Sequence, residues 1–223
     1  MRLTHIELGL NMDINENTIN VLVVEHPSTF RLAIEEILKQ IEGRDGLFVL
    51  SNGNENLPIS KHVEMVLNPF QLDFNSRKIQ NKLFQLVKTD IEENLVVELC
   101  ELNVKILGFL EKALRNQPYS VEYNYELDVQ SLMKTYHVGF REEELEFIEK
   151  LIEFIRIQAY LMRTSLLIFV NLKSFLSEIE LIQLYKFAFY CKMNIVLLES
   201  SSKNRIDSES TTIIDEDRCV IEN

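Results

Sequence analysis

The fold of this chain is decided by one stretch near its end, SLLIFVNLKSFLSEIELIQLYKFAFYCKMNIVLLES at residues 165–200. The stretch begins and ends with short aliphatic runs, LLIFV and NIVLLE, which are typical of strands buried on both faces of a sheet. The segment between them, SEIELIQLYKFAFYC, has the length and composition of a helix. A strand, a helix and a second strand in this order predict part of a parallel sheet.

The beginning of the chain predicts more strands for the same sheet. INVLVVE at residues 19–25 is nearly all β-branched or leucine, and a helical pattern at 30–41 follows it. LFVLS at 47–51 indicates another strand, whereas SNGNENLPIS at 51–60 is typical of a loop. At the other end, TTIID and RCVIE flank Asp215, Glu216 and Asp217, which predicts a terminal hairpin with a solvated acidic turn.

The middle of the chain is predicted to be helical. Apolar residues recur at helical spacing from about residue 74 to Pro118, with a restart at Thr89 or Asp90, and again from about 142 to 163. We therefore predict an α/β protein with two domains. A mostly parallel sheet forms a head domain from residues 1–60 and 164–223, and an inserted, mainly α-helical leg domain spans 61–163.

The composition restricts the classes of partner. The 223 residues carry a formal net charge of −12, and an evenly acidic surface repels nucleic acid and anionic membranes. No apolar stretch is long enough for a membrane span. Three cysteines without paired spacing and the absence of a signal peptide predict a cytoplasmic protein with reduced thiols.

The segment VEYNYELDV at residues 121–129 alternates between apolar and oxygen-bearing side chains. If it is extended, Glu122, Asn124, Glu126 and Asp128 lie on one side. One interpretation is an edge strand with a polar outer face, in which Asp128 caps the following helix. The other is a site for a hard cation, because calcium is bound by carboxylate, amide and carbonyl oxygens. Ligands without histidine or cysteine favour calcium over zinc or copper.

Signals for catalysis are weak. The strand-to-helix turn VVEHPSTF at 23–30 has no glycine or lysine, although nucleotide-binding folds hold phosphate at this point. A metal-dependent nuclease needs converging acids, for which Glu25, Asp73, Asp215 and Asp217 are the candidates. We therefore predict that the chain is not an enzyme.

Several quoted pieces resemble a known family. The stretch at 165–200, the closing IIDEDRCVIEN at 213–223, and EYNYELDVQSLMKTYHV at 122–138 are similar to the small CRISPR-associated adaptation protein of type II-A systems. The resemblance covers essentially the whole chain in length and element order. It implies a head domain that resembles a degenerate P-loop ATPase, a helical leg, and no established enzymatic activity.

The resemblance also implies function and partners. Members form homotetrameric rings that depend on calcium and enclose double-stranded DNA, with a preference for its ends. They act with the CRISPR integrase proteins and the RNA-guided nuclease in spacer acquisition. Here the family pattern implies that Glu122, Glu126 and Asp128 are calcium ligands, although one extra residue leaves the choice among Asn124, Glu126 and Asp128 open.

The candidates for DNA contact are four basic residues. The resemblance implies Lys134, on the short helix after the acidic segment. Lys173 follows a buried strand, where α/β proteins usually place ligand contacts, and Lys203 and Arg205 lie in a loop. A ring could gather such charges around a central hole and bind the DNA backbone without reading sequence. A metal-dependent nuclease or degenerate NTPase, and a structural adaptor of the adaptation complex, remain the alternatives.

Overall fold

The fold is described from a computed structural model for residues 1–141 and 145–222. The chain folds into two compact units, one of Met1–Asp73 with Glu143–Asn223 and one of Phe74–Glu142. We call them the sheet unit and the helical unit. The unit boundaries differ from the predicted domain boundaries of 60/61 and 163/164. Helix 147–156 belongs to the sheet unit because its apolar side buries Leu151 and Ile155 completely.

The elements are numbered along the chain. The strands are β1 (Arg2–His5), β2 (Leu10–Asp13), β3 (Ile19–Val24), β4 (Phe48–Asn52), β5 (Glu55–Leu57), β6 (Val63–Val66), β7 (Leu166–Val170), β8 (Asn194–Glu199), β9 (Glu209–Ile214) and β10 (Val220–Glu222). The α-helices are α1 (Pro27–Ile41), α2 (Ile59–His62), α3 (Arg77–Asn94), α4 (Val96–Leu114), α5 (Val129–Thr135), α6 (Phe147–Arg156) and α7 (Glu178–Tyr190). A π-helical turn, Ile157–Met162, continues α6, and a short 3₁₀ turn, Leu172–Ser174, follows β7.

The larger sheet confirms a mixed α/β fold with a mostly parallel sheet. Its strand order is β10-β9-β3-β8-β7-β6, and every neighbouring pair is parallel except the terminal hairpin β9–β10. All residues of β3 and β7 are buried, which is why these strands read as apolar runs that only Asn20 interrupts. Strand β6 was not predicted, since its four residues, VEMV, are too short to show a period.

A second, smaller sheet in the same unit was also not predicted. It is antiparallel, with the order β2-β1-β4-β5. The predicted strand at 47–51 belongs to this sheet rather than to the parallel one. Both sheets contribute to one core with α1, through residues such as Leu3, Phe48, Leu22 and Ala33. Strand propensity alone identifies a strand without identifying its partner, which explains the error.

The helical unit has a much smaller core. Among its described residues, Phe84 of α3 and Val129 and Met133 of α5 form a buried cluster, Ile79 of α3 is also buried, and α4 buries no residue. The break between α3 and α4 lies at Leu95 rather than at Thr89 or Asp90. In the described part of the chain, no helix combines the length and apolar composition that crossing a membrane requires.

Candidate functional site

The acidic segment at residues 121–128 is irregular chain rather than a strand. Its polar members, Glu122, Asn124, Glu126 and Asp128, are all exposed, whereas Tyr123 and Leu127 are half-buried. The polar side is exposed as predicted, but the apolar side is not packed inward throughout, since Val121 and Tyr125 are exposed as well and no sheet partner holds the segment. The segment is hydrogen-bonded directly to α4, because the Asn103 side-chain amide donates to the Tyr125 carbonyl over 2.8 Å.

Asp128 is the N-cap of α5. Its Oδ2 accepts hydrogen bonds from the Ser131 backbone N–H at 2.9 Å and from the Ser131 hydroxyl at 2.6 Å. These bonds lower the pKa of the Asp128 carboxyl, first through the hydroxyl and then through the backbone N–H. The capping interpretation of Asp128 is confirmed, and only Oδ1 is left free of these two bonds.

Oxygen-bearing side chains line one open cavity of the helical unit, of about 610 Å³. Asn124, Glu126 and Asp128 contribute from the acidic segment, and Lys88 and Glu92 contribute from α3. The Lys88 ammonium lies 3.7 Å from the Glu92 carboxylate and also lowers the pKa of Asp128. The Lys88 ammonium therefore already balances part of the negative charge in this cavity.

The donor set has the right chemistry for a hard cation but is not assembled around one point. Within residues 1–141 and 145–222, no three acidic, histidine or cysteine side chains are grouped closely enough to hold a metal ion. Glu126 and Asp128 share the cavity, whereas Glu122 is not among the residues that line it. A calcium ion bound here would have to draw the segment together, which irregular chain allows more readily than a strand does.

The four basic candidates fall into two environments. Lys134 is exposed in the last turn of α5, and Lys203 and Arg205 are exposed in the loop between β8 and β9. Lys173, by contrast, is an internal residue whose side chain is only 4% exposed. Its ammonium is bound to Glu209 and so offers no free charge to a DNA backbone.

Glu209 is the centre of a buried network that the sequence pattern did not reveal. Both of its carboxylate oxygens accept from Lys173 Nζ at 2.8 Å, and Tyr185 donates to Oε1 at 2.5 Å. The Ile206 N–H donates to Oε2, and Lys173 Nζ also reaches the Asn204 carbonyl at 2.8 Å. The network therefore fixes the loop that carries Lys203 and Arg205. One feature of the sequence could have indicated it: Glu209 is the acidic first residue of β9, whose other residues are apolar or carry hydroxyl groups.

Glu199, the last residue of β8, is a second buried carboxyl that was not singled out. It is 1% exposed, and its Oε1 accepts from the Lys173 backbone N–H at 3.0 Å. Its Oε2 has no hydrogen-bond partner within the described chain. Burial raises the pKa of the Glu199 carboxyl, because the charged form loses its hydration.

This raised pKa predicts a pH dependence of stability. The folded state holds the Glu199 proton more tightly than the unfolded state. The stabilisation of the folded state by this proton is therefore complete below the ordinary pKa of 4.5. It is lost as pH rises through the folded pKa. Glu199→Gln keeps the acceptor for Lys173 and removes the titration. We expect Glu199→Gln to be more stable than the parent by about 1 kcal/mol at neutral pH, and the difference to vanish near the ordinary pKa.

Urea unfolding at a series of pH values from 4.5 upwards measures this difference in the free energy of unfolding. Glu35→Gln, at an exposed position of α1, is the matched control. Its free energy of unfolding is expected to differ from that of the parent by the same amount at every pH. If the difference in the free energy of unfolding between Glu199→Gln and the parent does not change with pH, the raised pKa of Glu199 is contradicted.

Two of the acids considered for a nuclease, Glu25 and Asp215, lie in ordinary structural positions. Asp215 closes the β9–β10 hairpin, where its Oδ1 accepts from the Cys219 N–H at 2.7 Å, as predicted for a turn. Glu25 follows β3, and its N–H donates to the Ile214 carbonyl. At the start of α1, His26 Nδ1 accepts from the Ser28 N–H, and Pro27 has no N–H to donate. The polar groups of this turn therefore serve the helix itself.

Comparison with known proteins gives one family and a structural likeness. The family described as "CRISPR-associated protein (Cas_Csn2)" matches residues 40–218. Among solved structures, an inward-facing metal-chelate type ABC transporter is 11% identical with a TM-score of 0.44, over 96% of this chain and 75% of that one. A bacterial Atm1-family ABC exporter with ATP bound is 11% identical with a TM-score of 0.43, over 93% of this chain and 34% of that one. Scores of this size carry no argument, so the likeness to a degenerate P-loop ATPase stays a prediction.

Proposed function

The chain belongs to the Cas_Csn2 family of CRISPR-associated proteins, and from this premise we propose a calcium-dependent homotetrameric ring that binds double-stranded DNA. Membership in this family gives it a role in CRISPR adaptation. In the proposal the ring binds the duplex non-specifically, prefers its ends, and catalyses no reaction. It works with the CRISPR integrase proteins and the RNA-guided nuclease during spacer acquisition.

The proposed DNA contact is electrostatic. A chain with a net charge of −12 must bind phosphate through local basic surfaces. Lys134, Lys203 and Arg205 are exposed and supply such charges, whereas Lys173 is reassigned to the internal network with Glu209. Several copies arranged around one duplex would sum these charges and release the counterions of the DNA.

Assembly into a homotetramer is supported by α4. This helix buries no residue within its own chain, and the side chains of Val97, Val104 and Phe109 are each 68–69% exposed. Val97 and Val104 lie two turns apart on one face of the helix, and an exposed apolar face of this kind is typical of interaction sites. Only four described residues of the helical unit are buried, namely Ile79, Phe84, Val129 and Met133, so burial of α4 against other copies would add to its stability.

Calcium is proposed as the ion that gathers the acidic segment. The observation that carries this part is the cavity lined by Asn124, Glu126 and Asp128, which supplies oxygen ligands of the preferred type. When bound, calcium would neutralise the repulsion among neighbouring carboxylates and hold the segment in one conformation. Glu122, exposed at the start of the segment, is the further ligand in the proposal.

Calcium titration with two readouts tests the proposal. Oligomeric mass is followed by light scattering, and duplex affinity by fluorescence anisotropy, before and after EDTA. We expect EDTA to reduce the mass below that of a tetramer and to weaken duplex binding by about tenfold or more. The variant Glu122→Gln, Glu126→Gln, Asp128→Asn removes three charges and keeps the N-cap acceptor, and it should behave like the chelated parent.

The matched control removes the same charge elsewhere. Glu7, Glu16 and Glu35 are exposed in the sheet unit, and their conversion to glutamine should leave the calcium response intact. The proposal fails if the acidic-segment variant assembles and binds duplex as the parent does while EDTA changes neither. Purified protein that binds no duplex in calcium would instead favour the structural adaptor.

A further inference from the structure

Helices α6 and α7 pack against each other in the sheet unit, and a cluster of aromatic and basic side chains lies at their ends. The Arg156 guanidinium lies over the Phe187 ring, 5.3 Å from its centroid, and the Phe187 and Tyr190 centroids are 6.3 Å apart. Tyr160 joins the cluster from the π-helical turn, through a hydrogen bond between its hydroxyl and the Cys191 side chain. The aromatic–basic patch is defined as Arg156, Tyr160, Arg163, Phe187, Tyr190 and Lys192.

Two rings of this patch are open to a partner. Tyr160 is 60% exposed and Tyr190 is 78% exposed, whereas Phe187 is half-buried and has Arg156 over its ring. An aromatic ring left in water forgoes the free energy that it would gain by burial against another flat apolar group. Tyr160 and Tyr190 are therefore the members of the patch that a partner with flat rings would cover.

The turn that carries Tyr160 has a fixed backbone. Gln158 is 2% exposed, and its Oε1 accepts from the Thr164 hydroxyl at 2.6 Å. The Gln158 carbonyl accepts from the Thr164 N–H at 3.0 Å, which closes the π-helical turn. Turns of this type are rare and are frequent at functional sites. The ring of Tyr160 is therefore presented by a built element, before any partner arrives.

The charge of this surface is opposite to that of the whole chain. Residues 156–163 and 181–192 contain four basic residues and no acidic one, although the chain has 35 acidic and 23 basic residues. Arg156 is paired with Glu153. Arg163 and Lys192 are exposed, and neither has an ion pair in the described part of the chain. Their charges complement an anionic partner, such as a phosphate backbone.

We propose that the aromatic–basic patch binds single-stranded nucleic acid. Bases would stack on Tyr160 and Tyr190, while Arg163 and Lys192 would contact the phosphates. Aromatic rings beside cations bind single strands without reading sequence, because every base has a flat face. A duplex keeps these faces inside its helix, so a duplex does not fit this patch in the same way. The site goes beyond the proposed function, in which other residues bind the duplex.

Anisotropy titration of the full chain with a labelled oligo(dT) of about 12 nucleotides tests the site. The titration is made in EDTA, because the proposed duplex site depends on calcium whereas the patch contains no acidic residue. We expect saturable binding. Tyr160→Ala with Tyr190→Ala should weaken it by about twenty-fivefold or more, at about fivefold or more for each lost stack. Arg163→Gln with Lys192→Gln should reduce the slope of log affinity against log salt concentration by about 1.4, the value for two single-strand phosphate contacts.

Two matched variants separate stacking from other effects. Tyr160→Phe with Tyr190→Phe keeps both rings and removes their hydroxyls, and it should bind oligo(dT) within about threefold of the parent. Tyr119→Ala with Tyr136→Ala removes two exposed rings of the helical unit and should leave oligo(dT) affinity unchanged. An equal loss in the alanine and phenylalanine variants of the patch overturns the stacking role.

The absence of saturable oligo(dT) binding in EDTA overturns the site. If the patch alanine variant binds oligo(dT) as the parent does but has a lower oligomeric mass in calcium, the patch is a contact between copies and the proposal is wrong. Loss of oligo(dT) binding with duplex affinity kept within about twofold supports the patch and leaves the proposed function standing. A parent that binds oligo(dT) in EDTA but no duplex in calcium supports the patch and refutes the proposed function.

Discussion

Replacing Lys173 with methionine is expected to lower the free energy of unfolding by about 3–5 kcal/mol, the scale for removing one partner of a buried ion pair. The two charged side chains are 4% and 1% exposed, and three bonds of 2.8 Å join Lys173 Nζ to both Glu209 oxygens and to the Asn204 carbonyl. Without the ammonium, the Glu209 carboxylate keeps only the neutral donors Tyr185 and Ile206. A loss of this size is a large fraction of the stability of a typical domain.

Chemical denaturation of a short variant series measures the effect. The double variant Lys173→Met with Glu209→Gln should recover much of the loss, because a neutral amide can still accept from Tyr185 without an unbalanced charge. Lys186→Met, at an exposed position of α7, is the matched control and should stay within about 0.5 kcal/mol of the parent. If Lys173→Met unfolds at the same denaturant concentration as Lys186→Met, the ion pair of Lys173 with Glu209 does not stabilise the fold.

The largest expected effect on DNA binding comes from the exposed basic residues. Converting Lys134, Lys203 and Arg205 to glutamine removes three charges from every subunit of the ring, and it should weaken duplex affinity by at least about a thousandfold in roughly 50 mM salt, at about tenfold for each phosphate contact. The slope of log affinity against log salt concentration should fall by at least about three, which is the value for the contacts of a single subunit. Anisotropy titrations at several salt concentrations give both quantities, and the reduced slope distinguishes lost phosphate contacts from partial unfolding.

The control for this prediction removes three charges from positions outside the proposed contact. Arg31, Lys39 and Lys61 are exposed in the sheet unit, and their conversion to glutamine should leave the salt slope unchanged. An equal loss of affinity in both triple variants would mean that net charge matters and that the chosen residues do not. A parent salt slope near zero would remove the electrostatic mechanism altogether.

The parallel sheet was predictable because burial on both faces leaves a simple signature. The strands β3, β7 and β8 read as largely apolar runs, and the helix between β7 and β8 has a clear start at Ser177 with Glu180 three residues later. The antiparallel sheet was not predictable in the same way. Its strands have three to five residues each, and their pairing depends on contacts between distant parts of the chain.

The polar sites show the same division between local and distant information. The capping role of Asp128 depends on Ser131, three residues away, and was predictable from spacing alone. The pairing of Lys173 with Glu209 joins residues 36 positions apart, so the pattern around either residue could not reveal it. The acidic segment combines both cases, because its alternation predicted that the polar side chains are exposed but not that Val121 and Tyr125 are exposed too, or that the backbone lacks a sheet partner.

The lack of any buried residue on α4 has a practical consequence for genetics. Most positions that matter to a protein matter first for folding, so their variants lose abundance and activity together. On α4 the two effects can be largely separated, since Val97, Val104 and Phe109 are each about two-thirds exposed and a polar residue there should disturb little packing inside its own chain. Alleles at these positions should produce normal amounts of polypeptide, and any defect they cause in living cells reports on association alone.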